Sequence, residues 1–341
     1  MKHRNPAIAL VASAAIFTLI GCTTGNATDE GTGNAAGDGS YVTVVKLVGI
    51  GWFDRMEVGV AEWASETGLD ARQEGPIDAT NEGQVEIIQN LIAQQPAAIT
   101  VVPNDLAGLA SVLKEARDRG IIVVSHEAAG IENVDINIEA FENRAYGSQI
   151  MDNLAECMAE DGGYVQFVGR LTNGSHGEWV NGALENQTEN FPGMTRLEDP
   201  IESEEDEEVA YNKARELLAK YPDIKGFQGS AGTDVVGIAR AVEEAGKADS
   251  VCVMGTSIPS VAGDFLQTGA IDKIFFWDPA LAGKAQLAIA KILVDGGTIS
   301  EGTDLGIPGY NSLVKLAGFD NVFAGNAGVA VDKSNAADYD F

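Results

Sequence analysis

From Tyr41 to the C-terminus, short apolar runs alternate with longer stretches in which apolar residues recur every three or four positions. Strand-like runs cover residues 42–47, 98–102, 121–125, 164–168, 226–229, 251–254 and 273–276. Between them lie helical patterns at 53–66, 81–94, 106–119, 143–160, 178–190, 210–220, 235–245 and 280–294. The run GQVEIIQNLI at 83–92 shows the spacing of a helix with one buried face. Gly68, Gly120 and Gly246 stand where such helices need a left-handed C-terminal cap. Strand and helix in strict alternation predict an α/β fold of parallel sheets covered by helices on both faces. Two sets are expected, one from Tyr41 to about Ile138 and one from about Ala145 to Gly269. No repeat with a period of 20 to 50 residues is visible, which argues against a solenoid.

The segment before this pattern has a different character. Lys2, His3 and Arg4 precede an apolar run from Ala7 to Ile20, which ends Leu19-Ile20-Gly21-Cys22. A basic start, an apolar stretch and a small residue before the cleavage point make a secretory signal. The run is shorter than the 20 or so residues a membrane span needs. Leu-Ile-Gly-Cys resembles the bacterial lipobox, in which the cysteine is diacylated and becomes the mature N-terminus. Residues 1–21 are therefore expected to be removed, with Cys22 lipidated. Residues 22–40 carry no large apolar side chain and form a flexible tether. The domain behind it is expected on the extracytoplasmic face of a membrane, held by the lipid.

The net charge of −29 falls to −31 once Lys2 and Arg4 leave with the signal. So acidic a surface repels nucleic acid and anionic lipid. The run ESEEDEE at 202–208 reads as a solvated helix start or loop, because it lacks the turn glycine and alternating ligands of a calcium loop. Cys157 falls in a helical pattern and Cys252 in a strand, so both read as buried thiols rather than a bridge. A disulfide is the alternative in an oxidising compartment.

Catalytic groups are scarce. His126 and His176 stand apart, with no HExxH, no Cys-His pair and no GxSxG elbow. Ser175 and His176 are adjacent, and adjacent side chains point different ways. Gly49-Ile50-Gly51 opens a helix after the first strand, but the third glycine of a dinucleotide fingerprint is missing and Asp54 would repel a pyrophosphate. Trp52 and Phe53, at the end of that strand, suit the apolar face of a sugar ring instead. No enzyme, no metal and no cofactor is expected.

Export signal, tether and two doubly wound lobes together resemble the type I solute-binding proteins of ABC importers, of the ribose-binding type. The resemblance covers Tyr41 to Phe341 and is closest to the branch of autoinducer-2-binding and rhamnose-binding proteins. It rests on Lys46-Leu47-Val48-Gly49-Ile50-Gly51-Trp52-Phe53, on Glu74-Gly75-Pro76 followed by Gly83-Gln84-Val85, on Phe276-Trp277-Asp278-Pro279 followed by Gly283-Lys284, and on the closing Asp338-Tyr339-Asp340-Phe341. It implies two lobes joined by a multi-strand hinge: 41–140 plus 271–297 as the N-terminal lobe, and 141–270 plus 298–341 as the C-terminal lobe and hinge return. It also implies a monomer that closes on a small sugar and delivers it to the transmembrane subunits of a permease. Lys46 matches a lysine of the autoinducer-2 binders that donates to ligand oxygens. Glu127 stands for their aspartate, Ser175 and His176 for an Asp-Gln pair, and Ser230 and Gly232 for Pro and Ala. These departures favour a monosaccharide over autoinducer-2. With Trp52, Phe53, Asp54, Trp277 and Asp278, these residues make up the expected ligand set.

Overall fold

A computed structural model describes residues 39–341. The expected signal at 1–21, the expected lipidation site Cys22 and the expected tether up to residue 38 lie outside the described residues. No helix among the described residues is long and apolar enough to cross a membrane.

The first set of elements runs β1 (Tyr41–Val44), α1 (Gly51–Thr67), β2 (Ala71–Glu74), α2 (Asn81–Gln94), β3 (Ala98–Val101), α3 (Leu106–Asp118), β4 (Ile122–His126) and β5 (Ile136–Glu139). The second runs α4 (Asn143–Cys157), β6 (Gly162–Val168), α5 (Gly174–Asn190), β7 (Met194–Arg196), β8 (Ile201–Glu202), α6 (Glu207–Lys220), β9 (Gly226–Gly229), α7 (Asp234–Glu244), β10 (Cys252–Thr256), α8 (Pro259–Thr268) and β11 (Lys273–Phe276). The chain finishes with α9 (Pro279–Val294), β12 (Val314–Lys315), β13 (Val322–Ala324) and β14 (Val329–Val331).

Two sheets result. One has the order β12-β13-β5-β4-β3-β1-β2, the other β14-β11-β10-β9-β6-β7 with β8 also on β6. Within each, the parallel strands step outward from the first strand of the set in both directions. That reversal of winding leaves a crevice at the carboxyl ends of the strands. The central strands β1, β3, β9 and β10 are buried along their whole length. This is the two-lobed type I fold of periplasmic binding proteins.

The lobe boundaries differ from those expected. β11 pairs parallel with β10 and antiparallel with β14, so 273–276 belong to the second sheet and not to the first lobe. Only α9 returns, packing on α1, β3 and β4. Conversely, β13 pairs parallel with β5 and places 322–324 in the first lobe, where the C-terminal lobe was expected. An apolar strand can serve either sheet; its hydrogen-bonded neighbour decides. The chain therefore changes lobe three times, after β5, after β11 and between β13 and β14.

Local detail follows the residues. Thr80, Asp105, Glu142, Asn173, Asp206 and Asp278 each accept a backbone N–H in the first turn of a helix. Gly68 ends α1 at φ 71°, as its position implied. Gly59 lets α1 meet the return helix α9, since a Cβ there would lie 2.0 Å from the Ala280 carbonyl oxygen. α8 has no counterpart in the pattern read from sequence; Pro259 at its first turn starts it and Gly269 at φ 85° ends it.

Cys157 and Cys252 correct the thiol reading, because they form a disulfide. Cys157 ends α4 and Cys252 opens β10, and α4 packs across β9 and β10. That packing brings Cα atoms 95 residues apart in sequence to 6.1 Å.

Candidate functional site

The carboxyl ends of both sheets face one cavity that its own side chains almost fill, with ≈ 10 Å³ of free space. It is lined by Lys46, Ile50, Trp52, Phe53 and Glu127 from the first lobe. Opposite stand His176, Trp179, Glu205, Ser230, Ala231, Gly232 and Thr256, with Trp277 at the crossover. So little space is left because the lobes close directly on one another.

Lys46 is placed by the loop after β1. Asn104 Nδ2 donates to the Lys46 carbonyl at 2.8 Å, and Gln84 Nε2 donates to the carbonyls of Val45 and Val102, stitching the ends of β1 and β3 together. The Lys46 ammonium donates to Glu127 Oε2 at 2.8 Å and lies 3.6 Å from Glu205 Oε1. Burial alone would pull its proton affinity down, but the two carboxylates outweigh that and hold it above its ordinary value. Glu127 follows β4 in a left-handed conformation at φ 55°. Its Oε1 is buried without a hydrogen-bond partner among the described residues.

His176 sits in the first turn of α5, where Asn173 Oδ1 caps its backbone N–H. Its Nδ1 accepts the Gly169 N–H at 3.0 Å. Burial and the nearby Lys46 charge hold its acidity constant well below the usual histidine value, so the ring is neutral. A neutral ring with Nδ1 accepting carries its proton on Nε2. The 3.5 Å approach of Nε2 to Lys46 Nζ therefore sets donor beside donor. Two donors, one from each lobe, converge without sharing an acceptor.

Tryptophans form the walls. Trp277 meets Trp52 edge-on at 4.7 Å and Trp179 at 5.7 Å between ring centroids. Trp179 in turn lies 4.9 Å from the His176 ring. Thr256 Oγ1 and Tyr146 OH share a hydrogen bond of 2.9 Å behind them. Ser230 is buried, and its Oγ has no partner among the described residues.

Eight of the expected residues meet here: Lys46, Trp52, Phe53, Glu127, His176, Ser230, Gly232 and Trp277. Three do not. Asp54 is exposed on the first turn of α1, where its charge suits the helix N-terminus. Asp278 receives both Nε and Nη2 of Arg55, at 2.9 and 2.7 Å, and caps α9 through the Ala280 N–H. Its carboxylate is spent on the crossover. Ser175 is buried on α5 but does not line the cavity.

The largest omission is Glu205, which lies within the run read as solvated. Glu204 and Glu205 turn the chain at φ 60° and 61°, and this tight bend carries Glu205 inward while Asp206 caps α6. Gly169 accommodates it, since a Cβ there would lie 2.3 Å from Glu205 Oε1. Composition gave no signal for this; a backbone that reverses direction did the placing. Trp179 and Thr256 were also missed, both on elements recognised only in part.

A model of the periplasmic binding protein domain matches residues 41–298. The chain belongs to this family. Among curated proteins, the binding protein is 25% identical over 266 residues to the D-allose-binding periplasmic protein of Escherichia coli strain K12, covering 75% of this chain and 83% of that one. Among solved structures it resembles LsrB from Clostridium saccharobutylicum in complex with AI-2, with a TM-score of 0.82, 19% identity, and coverage of 89% of this chain and 100% of that one. A solute-binding protein from Clostridium phytofermentas with bound L-rhamnose gives the same TM-score at 19% identity, over 88% and 98% of the two chains. At such identities the structures speak to the fold of the binding protein.

Proposed function

We propose that this chain is the solute-binding lipoprotein of an ABC importer, which takes a monosaccharide between its lobes and hands it to a membrane permease. One observation carries the reading. Lys46 and Glu127 from one lobe and His176 from the other converge inside a tryptophan-walled cavity at the carboxyl ends of both sheets. Donors, acceptors and aromatic faces in that arrangement suit a small polyol: hydroxyls meet the charged groups while C–H faces lie on indole. The name of the Escherichia coli relative, a binder of D-allose, points the same way.

The contacts come from both lobes, so a ligand stabilises the closed arrangement over the open one, and a sugar enters as the lobes part. A hydroxyl missing from the ligand leaves a buried polar group unpaired, which makes the site discriminating. No bond is made or broken; the ligand leaves as it came. Cys22 as a lipidated N-terminus, with the tether behind it, would hold the closed form near the permease on the extracytoplasmic face.

A thermal-shift screen against monosaccharides and autoinducer-2 tests this, because ligand raises stability by mass action. A monosaccharide should shift the melting temperature and be recovered unchanged by mass spectrometry. A response to autoinducer-2 alone would reassign the ligand, and turnover would refute the binding role. Cys22→Ala should release the protein from membranes; persistent association would refute the anchor.

A further inference from the structure

Among the described residues, Glu205 is the one carboxylate that reaches Lys46 from the opposite lobe, and neither the charge pattern nor the family match points to it. We propose that Glu205 is a ligand-binding residue that sets specificity: with Glu127 it makes the closed cavity a two-carboxylate site that takes ligand hydroxyls and excludes anionic sugars. This rests on the monosaccharide reading of the cavity.

Charge bookkeeping at the lining supports it. Two carboxylates, Glu127 and Glu205, face one ammonium, Lys46, and the imidazole of His176 is neutral. Asp234 lies behind Glu205 on α7, and it accepts the N–H groups of Ser230 and Ala231. Arg170, whose Nε donates to the Ala79 carbonyl at 2.6 Å, keeps its charge but lies outside the lining and acts on the Glu205 carboxyl less than Lys46 and Glu127 do. An incoming carboxylate or phosphate would therefore add a negative charge to a lining whose two carboxylates share a single ammonium, where screening is weak.

Geometry assigns the roles. Lys46 is already saturated on one side by Glu127 at 2.8 Å, while the 3.6 Å separation from Glu205 is too long for a full hydrogen bond. Glu205 is thus a buried acceptor, 5% exposed, with capacity left for a donor from the ligand. Glu127 Oε1 is a second unfilled acceptor across the cavity. Between them, Lys46 Nζ and His176 Nε2–H are donors 3.5 Å apart, close enough for one ligand oxygen to accept from both. The complementary ligand carries an acceptor oxygen with hydroxyls to either side and no charge.

Titration calorimetry with neutral aldohexoses, 6-deoxyhexoses, glucuronate and galacturonate compares wild type with Glu205→Gln and Glu205→Asp. Wild type should bind a neutral sugar and reject its uronate. Glu205→Gln should weaken the neutral sugar about tenfold, as expected for a lost hydrogen bond to a charged group. It should also narrow the neutral-to-uronate ratio by tenfold or more. Glu205→Asp, which keeps the charge, should retain the ratio and confirms that a folding defect is not the cause. Sugar binding with an unchanged ratio in Glu205→Gln would overturn the role of Glu205 alone. Failure of wild type to bind any sugar in the panel would overturn the monosaccharide reading, and this assignment with it.

Discussion

Trp277 donates its indole N–H to His126 Nε2 at 3.1 Å, and that bond joins the two lobes behind the cavity. His126 ends β4 of the first sheet, and Trp277 follows β11 of the second. The ring can accept at Nε2 because its Nδ1–H donates to the Ile138 carbonyl at 2.6 Å. Trp277→Phe keeps an aromatic wall and removes the donor, leaving a buried acceptor unpaired. The expected cost is about 1–3 kcal/mol, read from urea unfolding of the two proteins. Equal midpoints and slopes would show that the bond contributes nothing.

Lys46 is the counter-charge shared by two buried carboxylates from opposite lobes. Lys46→Met leaves both without a counter-charge, and breaking a buried ion pair in this way costs about 3–5 kcal/mol. Part of that loss should return in acid, where the Glu205 carboxyl, pushed up by burial, protonates. Calorimetry with the sugar found in the screen should show affinity reduced at least about tenfold, the scale of one charged hydrogen bond. An unchanged affinity would place the ligand elsewhere.

Asp234 and His176 give the protein opposing pH dependences. Burial pushes the Asp234 carboxyl up to about 7, above the value it has in an unfolded chain. Its contribution to stability is therefore full below about pH 4 and is lost as pH rises through about 7, on the order of a few kcal/mol in all. The His176 ring is depressed by burial and by Lys46, so its contribution is present above about pH 6.5 and is lost as pH falls. Denaturant unfolding from pH 4.5 to 8 should show Asp234→Asn flattening the alkaline loss and His176→Gln flattening the acid loss. Parallel curves for all three proteins would contradict both assignments.

The Cys157–Cys252 bridge closes a loop of 95 residues that includes most of the second lobe. A crosslink over so long a loop is worth about 2–5 kcal/mol. The double replacement with serine should lower the unfolding midpoint accordingly, and reducing agent should do the same to wild type alone. A reductant effect of equal size on both proteins would rule out the bridge as its cause.

What could be read before folding was local or carried by motif. Alternating periodicity identified α2 to the residue and the central strands to within a few, because buried parallel strands and one-sided helices each leave their own spacing in the sequence. The edge strand β2 left no such mark, since it reads ARQE and is half-buried; α8 is short, with Gly263 inside it, and its buried Pro259, Ala262 and Leu266 do recur at helical spacing. Lys46, Trp52, Glu127 and His176 were legible because they stand where strands or helix starts meet the crevice.

The sequence by itself determined the α/β alternation, the caps and most of the cavity lining, since these depend on neighbours along the chain. Tertiary structure alone decided which sheet β11 and β13 would join, that Cys157 would reach Cys252, and that Glu205 would face Lys46. Each of these is a pairing between residues far apart in sequence. A strand pattern does not name its partner, a thiol does not name its mate, and a glutamate in an acidic run turns inward only when the fold supplies a buried ammonium to receive it.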